Sequence, residues 1–366
     1  MDYDRPLFYH ITSYAEAADR EVIDMVSGNP DWAPPKALSA GLSAYADSDP
    51  DAFQYPPSEG LEDLREAIAE RRGVDIERVV VTNGGGEANY LAMACGLAEH
   101  GGNEILLADP TYPYYTGRAR MLDADVGRIP VGPTGDLDPA DVRGAASEDT
   151  AVVVVNSPNN PTGAVYDAET VRDLVAVAEA NDALLLSDEV YDHFDYSGRF
   201  ASALAVDSPN AALTTSFSKS MAITGLRVGY AVFPAALVGP ARTRHMLVNV
   251  AGSRPAQRAV RAALADADRS YYERNRERLR ERIDTFTDAL DAAGAEYTVP
   301  DGAFYVLARF PDLAGSLPNA KRLIDEAGVA GMPGEVFGET TDDWFRFALV
   351  TPRVETAAKR LASYLG

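Results

Sequence analysis

The segment Ala151-Val152-Val153-Val154-Val155-Asn156-Ser157-Pro158-Asn159-Asn160-Pro161-Thr162-Gly163 joins five consecutive apolar residues to a run of polar residues, prolines and a glycine. A continuous apolar run of this kind is typical of a strand that is buried on both faces of a parallel sheet. The polar residues after it would lie at the carboxyl end of the strand, where open α/β sheets bind their ligands. The segment therefore predicts an α/β fold with a ligand site at this sheet edge.

Short β-branched runs alternate with segments of helical periodicity between about residues 79 and 230. This alternation predicts a three-layer α/β/α domain around a mostly parallel, seven-stranded sheet. The predicted strands are residues 79–82, 104–108, 126–130, 151–156, 184–188, 213–216 and 227–232. The predicted helices include residues 87–99, 168–181 and 235–248.

A smaller α+β domain is predicted in the C-terminal part of the chain. After Pro255 the sequence becomes rich in Glu and Arg at helical spacing, which favours a solvated helix leading into a second domain. Strand candidates at 297–299, 303–308 and 345–349 precede a terminal helix from about Glu355. Residues 1–45 have no βα pattern and are expected to pack onto this domain. We therefore predict a large domain of residues 46–274 and a discontinuous small domain of residues 1–45 and 275–366.

The amino-acid composition disfavours several classes of binding partner. The 366 residues include 33 basic and 56 acidic side chains, which gives a formal net charge of −23. Such a charge disfavours nucleic acid and anionic membranes as partners, and no apolar run approaches the ~18 residues that span a bilayer. The single cysteine precludes an internal disulfide, and the four histidines show no metal-ligand spacing, so no metal is expected. We expect a cytoplasmic protein, with an acidic surface of the kind that suits a saline cytoplasm.

Lysine is rare in this chain, so any lysine chemistry must use Lys36, Lys219, Lys321 or Lys359. The segment Thr214-Thr215-Ser216-Phe217-Ser218-Lys219 ends an apolar strand eight residues before Arg227. A lysine in this place is suited to forming a Schiff base with a carbonyl group, and the hydroxyls and Arg227 are suited to binding phosphate. A surface lysine in a serine-rich loop is the alternative.

Two further segments carry candidate binding groups. Thr82-Asn83-Gly84-Gly85-Gly86-Glu87 passes from a strand into a helix, whose first amides could hold an anion, although a tight structural turn would use the same glycines. Leu186-Ser187-Asp188-Glu189-Val190-Tyr191 places a carboxylate at a strand end. If buried, Asp188 needs a cationic or hydrogen-bonding partner, and capping a helix is its other possible role.

Together, in order and at comparable spacing, these segments resemble the fold-type I pyridoxal-phosphate-dependent aminotransferases of classes I and II, of the aspartate and histidinol-phosphate aminotransferase type. The resemblance implies pyridoxal 5′-phosphate as cofactor and ping-pong transfer of an amino group from an L-amino acid to a 2-oxo acid. It makes Lys219 the Schiff-base lysine and proton shuttle. It also implies that the large domain binds the cofactor and that the small domain closes over the substrate.

The same resemblance implies roles for individual residues around the cofactor ring. Asp188 would keep the pyridine nitrogen protonated, while Tyr191 and Asn160 would hydrogen-bond the phenolate oxygen. Tyr112, in Asp109-Pro110-Thr111-Tyr112-Pro113, would stack on the ring. The implied phosphate ligands are Ser216, Ser218, Arg227 and the amides of Gly85 and Gly86.

Other residues would complete the site. Arg346, in Trp344-Phe345-Arg346-Phe347-Ala348, would bind the substrate α-carboxylate, for which a guanidinium is suited by its bidentate geometry and permanent charge. Asn160 would also contact the substrate, and Gly28, in Ser27-Gly28-Asn29-Pro30, would offer backbone contacts from a mobile segment. Tyr55 would reach the phosphate of the neighbouring subunit, which implies a homodimer with shared sites.

The chain differs from the family at positions that recognise the side chain of the substrate in some of its members. Some aspartate-specific members carry an arginine shortly before a Ser-x-Pro turn, where this chain has Asn249, and others carry a lysine in the glycine loop, where it has Gly86. Neither usual clamp for a second carboxylate is present, although Arg254 or another arginine could substitute. A histidinol-phosphate-type aminotransferase and a carbon–sulfur lyase or decarboxylase remain alternatives, as does a regulator that binds the cofactor without catalysis.

Overall fold

The computed structural model describes residues 6–266 and 268–365. Residues 1–5, Ala267 and Gly366, which the domain prediction includes, lie outside the described residues. The helices are α1 (Leu7–Glu16), α2 (Lys36–Ala46), α3 (Glu62–Arg72), α4 (Gly85–Glu99), α5 (Tyr114–Met121), α6 (Pro139–Ala145), α7 (Ala168–Ala180), α8 (Phe217–Ser220), α9 (Ala235–Asn249), α10 (Arg254–Asp266), α11 (Arg269–Ala292), α12 (Leu317–Arg322) and α13 (Val354–Leu365). The strands are β1 (Ile23–Asp24), β2 (Val79–Thr82), β3 (Glu104–Asp109), β4 (Asp125–Pro130), β5 (Thr150–Asn156), β6 (Leu184–Asp188), β7 (Ala211–Ser216), β8 (Gly229–Val232), β9 (Glu296–Tyr297), β10 (Tyr305–Arg309), β11 (Val329–Ala330), β12 (Met332–Pro333) and β13 (Trp344–Ala348).

A seven-stranded sheet forms the centre of the larger part of the molecule. Its strand order is β2-β8-β7-β6-β5-β3-β4, and every neighbouring pair is parallel except the two pairs that include β8. All residues of β5, β6 and β7 are buried, because helices cover both faces of a parallel sheet. The predicted α/β class and the mostly parallel seven-stranded sheet are confirmed.

Helices cover the sheet on both faces, as the alternation of side chains along β5 shows. Val152 and Val154 belong to a core cluster with Leu91 of α4 and Leu237 of α9. The intervening Val153 joins a separate cluster on the other face, which includes residues of α6 and α7. Successive strand residues point to opposite faces, so one apolar run supplies both interior layers of the three-layer architecture.

The reversed strand β8 has a direct consequence for the sheet edge. Its first residue, Gly229, pairs with Thr82 at the end of β2 and with Ser216 at the end of β7. The start of β8 therefore lies beside the carboxyl ends of its neighbours. The prediction of a strand from residue 227 is wrong by two residues, because Arg227 adopts a left-handed backbone with φ of +56° that a strand does not accommodate.

A second core surrounds a smaller antiparallel sheet of order β12-β13-β10-β9. It contains Phe286 of α11, Phe347 of β13 and, from the other end of the chain, Ile11 and Ile23. Strand β1 pairs in parallel with β11, so residues near the N-terminus pack against the C-terminal part. Strand β10 begins at Tyr305, two residues later than predicted, since Ala303 has a φ of +59°.

Helix α2 departs from the sequence prediction. It packs on α10, and Leu38 lies in one core cluster with Leu61 and Val81 of the larger part. The expectation that all of residues 1–45 pack onto the small domain is therefore wrong for α2, while the other domain bounds stay a prediction. In the described ranges, no helix is long and apolar enough to cross a bilayer.

The sheet core generates a stability prediction. Leu186 is fully buried in the middle of β6, so Leu186→Ala leaves a cavity and should lower the free energy of unfolding by about 2–5 kcal/mol. Val299→Ala is the control, because Val299 is 71% exposed and should change stability by less than about 0.5 kcal/mol. Urea titration followed by circular dichroism measures both, and equal effects would contradict this account of the core.

Candidate active site

Asp188, at the end of β6, is the buried anion around which the site is arranged. It is 5% exposed, and its Oδ2 accepts hydrogen bonds from Asn89 Nδ2 at 2.7 Å and Tyr115 Oη at 2.6 Å. Its Oδ1 accepts one from the backbone N–H of Val190 at 3.2 Å. Burial raises the pKa of Asp188, while the hydrogen bonds from Tyr115 and Asn89 oppose the rise. The carboxylate is thus held in one orientation by three donors.

Sequence reasoning missed the two side chains that hold this carboxylate. Asn89 lies on α4, is 3% exposed, and accepts a hydrogen bond from Thr214 of β7 while it donates to Asp188. Tyr115 lies on α5 and is 1% exposed. A single asparagine in the apolar stretch of α4 was a usable signal, because a buried amide needs partners. For Tyr115, the only indication in the sequence was its position three residues after Tyr112, which is a weaker one.

Lys219 lies on the short helix α8, which follows β7 directly. Its Nζ donates a hydrogen bond of 2.6 Å to the carbonyl oxygen of Gly28. Burial, and then the positive charges of Arg346 and Arg227, lower the pKa of Lys219 to about 8, and the Asp188 charge opposes this. Near physiological pH the neutral form, which attacks carbonyl carbons, is therefore a minor fraction, but a much larger one than in an ordinary lysine.

The glycine segment lies against Arg227 and Ser216. A Cβ at Gly84, whose φ is +83°, would lie 2.4 Å from Nη2 of Arg227, so any other residue there would displace the guanidinium from this position. Arg227 is exposed and donates to the carbonyl oxygen of Asn83 at 3.2 Å. A Cβ at Gly85 would lie 3.7 Å from Cβ of Ser216. The structure thus brings Gly85, Ser216 and Arg227 together at one sheet edge, at the N-terminus of α4.

The other two predicted phosphate ligands, Ser218 and Gly86, are close in sequence to Ser216 and Gly85, respectively. Ser218 is buried on α8, one residue before Lys219. Gly86 is the second residue of α4, and a Cβ there would lie 3.0 Å from Nη2 of Arg118. Arg118 is a residue that the sequence analysis did not single out.

Arg346 and Asn160 are in direct contact, although they come from distant parts of the chain. Nη1 of Arg346 donates to Oδ1 of Asn160 at 3.0 Å, and Nη2 donates to the carbonyl oxygen of Val26. The guanidinium carbon lies 4.4 Å from the ring centroid of Tyr305 and 5.0 Å from that of Phe337. Burial lowers the pKa of Arg346, and its buried Nε has no hydrogen-bond partner among the described residues. This arginine is fixed, desolvated and incompletely paired.

Tyr191 and Tyr305 form a second buried polar pair. Their hydroxyl oxygens are 2.8 Å apart, and burial raises the pKa of Tyr191 above its ordinary value. Gly28 lies against this pair, since a Cβ there would come within 2.5 Å of the Tyr305 hydroxyl. The sequence analysis assigned no role to Tyr305, which here links Tyr191, Gly28 and Arg346.

The two remaining predicted tyrosines have different surroundings. Tyr112 follows β3, and its ring packs edge-to-face on Tyr115 with centroids 5.5 Å apart. Tyr55 is 80% exposed, and only its carbonyl oxygen is held, by Arg254 Nη2 at 2.8 Å. Within one chain, the structure does not bring Tyr55 to the other predicted residues.

The α/β architecture, with a lysine of lowered pKa at the carboxyl edge of its sheet, is that of the fold-type I pyridoxal-phosphate enzymes, whose solved members it matches closely. The profile of the family described as Aminotransferase class I and II matches residues 20–361. The chain belongs to this family and is an aminotransferase.

Individual relatives agree with this assignment. The chain is 31% identical to the aspartate/prephenate aminotransferase of Thermus thermophilus, over 94% of this chain and 91% of the relative. It is 32% identical to a probable N-succinyldiaminopimelate aminotransferase of Mycobacterium tuberculosis, over 90% and 86%. The solved aspartate aminotransferase of T. thermophilus with maleate superposes with a TM-score of 0.91 at 30% identity, over 99% of this chain and 97% of that one. These relatives favour a transaminase over the lyase and regulator alternatives.

The lowered pKa of Lys219 predicts how its reactivity depends on pH. Labelling of Lys219 in the cofactor-free protein by acetic anhydride should reach half its maximum near pH 8, as read by mass spectrometry. Arg346→Gln removes a positive charge that disfavours the lysine cation, so the midpoint should move to higher pH. Arg309→Gln changes a half-exposed arginine on β10 and is the control. An unchanged midpoint in Arg346→Gln would contradict the electrostatic coupling.

Proposed function

We propose that this aminotransferase uses pyridoxal 5′-phosphate and Lys219 to move an amino group from an L-amino acid to a 2-oxo acid in a ping-pong cycle. The observation that carries the proposal is the convergence of a lysine, a buried carboxylate and a buried arginine from three distant segments. Nζ of Lys219 bonds to Gly28, Gly28 lies against the Tyr305 hydroxyl, and Arg346 lies over the Tyr305 ring. In agreement with this arrangement, Arg346 lowers the pKa of Lys219 and Asp188 raises it.

The residues present fit this cofactor. Asp188 is a buried anion suited to a protonated pyridine nitrogen, and Gly84 leaves a cradle beside Arg227 that a Cβ would fill. The N-terminus of α4 presents amides and a positive dipole end to a phosphate without needing further side-chain charge. The residues that would hold the cofactor are Gly85, Gly86, Tyr112, Asn160, Asp188, Tyr191, Ser216, Ser218, Lys219 and Arg227.

The bound cofactor supplies a carbonyl group that links to amino groups and a ring that accepts the electron pair left at the substrate Cα. The protein moves the proton. With a pKa of about 8, Lys219 can both accept and release a proton at Nζ near neutral pH, as a general base and acid must. Tyr191, whose pKa burial raises, stays protonated and is suited to donating a hydrogen bond beside the lysine.

Arg346 would hold the substrate α-carboxylate. Its guanidinium already lies in a dry pocket against Tyr305, with one nitrogen unpaired, and a carboxylate would supply the missing acceptor. Charge-assisted bidentate pairs of this kind are strong and fix orientation as well as position. Asn160, bonded to the same guanidinium, would keep the arginine aligned while it contacts the substrate.

We propose that the active unit is a homodimer that acts in the cytoplasm. The side chain of Tyr55 is 80% exposed in the single chain, and it would reach the site of a second copy. An exposed apolar surface supports this assembly, since proteins seldom leave adjacent large apolar side chains in water. This surface, called the α9 patch, comprises Phe53, Tyr55, Met246, Leu247, Val248 and Val250. Its two segments are joined by Arg254, which donates to the carbonyl oxygens of Asp51 and Tyr55.

Replacing the lysine tests the mechanism. Lys219→Ala should reduce transamination by at least about 10²- to 10⁴-fold, since general acid–base catalysis contributes that much. Lys219→Arg keeps the positive charge but gives up no proton near neutral pH, so it should be equally impaired. Amino donors are screened with 2-oxoglutarate as acceptor, and product is measured by chromatography.

Lys359→Ala is the matched control, because Lys359 is exposed and, among the described residues, pairs only with Glu355 of α13. Normal turnover by Lys219→Ala would refute the proposal. Release of pyruvate from an amino acid without any oxo-acid acceptor would instead identify a lyase.

The α9 patch predicts the assembly state. Leu247 is 78% exposed in the single chain, so Leu247→Glu should place two like charges in the apolar interface and weaken the dimer. Sedimentation velocity at micromolar concentrations should show a dimer for the parent protein and a larger monomer fraction for the variant. Val299→Glu, on an exposed site away from the patch, should leave the dimer intact. A monomeric parent protein would exclude the shared site.

A further inference from the structure

We propose that His245 is a positioning residue for the cofactor phosphate. Through its hydrogen bond to Glu87, this histidine of α9 fixes the first turn of α4 so that the N–H groups of Gly85 and Gly86 face the phosphate. The inference rests on the proposed function, because it takes these two amides to be phosphate ligands. His245 acts through Glu87 and not by contact with the cofactor.

The carboxylate of Glu87 is held by donors from two directions. Glu87 lies in the first turn of α4, three residues after the N-cap Gly84. Its Oε2 accepts a hydrogen bond of 2.6 Å from the backbone N–H of Asn83. Its Oε1 accepts one of 2.6 Å from Nδ1 of His245 and another from Nδ2 of Asn249. Burial acts to raise the pKa of Glu87, but the hydrogen bonds from His245 and Asn83 hold it below its ordinary value. Glu87 is therefore charged near neutral pH, and Nδ1 of His245 carries the shared proton.

The cap that Glu87 provides determines which amides remain for a ligand. The first N–H groups of a helix have no acceptor within the helix. The N–H of Asn83 is taken by Glu87, and the N–H of Gly84 is taken by a carbonyl oxygen of β2 at 2.9 Å. The N–H of Glu87 bonds to the carbonyl oxygen of Gly84 at 3.2 Å. The N–H groups of Gly85 and Gly86 have no acceptor among the residues that the structure describes. The free donors are thus two consecutive amides.

These two amides lie next to the other proposed phosphate ligands. A Cβ at Gly85 would lie 3.7 Å from Cβ of Ser216, and Gly84 lies directly against the guanidinium of Arg227. Amides at a helix N-terminus bind a phosphate well when their N–H groups converge on it. A shift of the first turn of α4 would therefore separate the amides from Ser216 and Arg227 while the sheet stayed in place.

Glu87 would oppose the phosphate if its charge were not balanced. A carboxylate in the first turn competes with any other anion for the positive end of the helix dipole. The Glu87 side chain is 11% exposed, so solvent and salt screen its charge only weakly. The donors of His245 and Asn249 engage this charge from α9. They therefore orient the carboxylate and also offset its charge beside the anion site.

The end of α9 is shaped for this contact. His245 is fully buried, and its polar contact among the described residues is with Glu87, since its Nε2 has no partner there. Val250, directly after Asn249, has a φ of +64° and a ψ of −58°, which is unfavourable for a β-branched residue. Such a backbone persists where surrounding contacts hold it. The hydrogen bond from Asn249 to Glu87 is one such contact, and it fixes the end of α9 against the glycine segment.

The test compares two ligands that differ in the phosphate group. Pyridoxamine 5′-phosphate and pyridoxamine are titrated by calorimetry into the cofactor-free full chain. His245→Leu keeps an apolar side chain of similar size but has no donor. It should weaken binding of pyridoxamine 5′-phosphate by about 10- to 100-fold, the range for one hydrogen bond to a charged group. The affinity for pyridoxamine should change by less than about 2-fold.

Three further variants separate positioning from general destabilisation. His245→Asn places an amide N–H near the position of Nδ1 and should restore most of the affinity for the phosphorylated ligand. Asn249→Ala, at the half-buried end of α9, removes the second donor and should cause a loss confined to that ligand. Leu237→Ala removes a buried core side chain from the same helix, so it should lower the melting temperature and leave the ratio of the two affinities unchanged. If His245→Leu behaves like Leu237→Ala, the role of His245 is packing and the proposal is overturned.

A double-mutant cycle tests whether His245 acts through the carboxylate. Glu87→Ala removes the acceptor of the histidine. In the Glu87→Ala background, His245→Leu should cause a much smaller further loss of affinity for pyridoxamine 5′-phosphate, because the contact is already absent. Losses that multiply in the double variant would contradict transmission through Glu87. Circular dichroism checks that each variant is folded.

The outcomes distinguish this inference from the proposed function. If the parent protein does not bind pyridoxamine 5′-phosphate, the proposed function and the inference fail together. If the parent binds it and transaminates, but His245→Leu weakens both ligands equally or neither, the inference fails and the proposed function stands. A loss confined to the phosphorylated ligand, restored by His245→Asn, supports the positioning role.

Discussion

The buried carboxylate of Asp188 is the constraint on which the rest of the site depends. Placing an anion at the end of a fully buried strand is costly unless donors surround it, and this chain supplies them from α4 and α5. Both helices are therefore tied to the sheet by polar contacts as well as by packing. Because α4 also carries the glycine segment and α5 follows Tyr112, one satisfied charge aligns the groups proposed for the phosphate and for the ring. Stability and function share the same two hydrogen bonds.

The reversed strand β8 is the second organising feature. In a wholly parallel sheet the residues before a strand lie at the opposite edge, about 13 Å away for a strand of four residues. Reversal brings Arg227 to the edge where β2 and β7 end, and its left-handed backbone turns it towards Gly84. A single change of direction thus collects a cation, a glycine turn and a lysine, although Gly84 and Lys219 are far apart in the chain.

Much of the fold follows from local patterns in the sequence. Two strands, residues 79–82 and 184–188, have the predicted bounds, since a buried strand between polar residues is a local signal. The late starts of β8 and β10 follow from positive φ angles at Arg227 and Ala303, whereas the other failures depend on contacts between distant segments. The packing of α2 depends on its contact with α10, and the partners of Asp188 depend on the strand order. Neither can be seen in the local periodicity of the sequence. Lys219 was already a candidate from its own segment, and the role of Arg346 came from resemblance. The contacts of Asn89 and Tyr115 with Asp188 are seen only once α4, α5 and β6 are placed together.

Nζ of Lys219 donates a hydrogen bond to the carbonyl oxygen of Gly28. The N-terminal segment and any carbonyl compound therefore compete for the same nitrogen. A carbonyl compound that captures the neutral Nζ displaces the backbone oxygen of residue 28, at a cost of about 0.5–1.5 kcal/mol. The linkage is reciprocal, so whatever occupies the lysine also loosens the segment that lies against Tyr305. Capture of the lysine and loosening of the backbone at Gly28 are therefore two aspects of a single equilibrium.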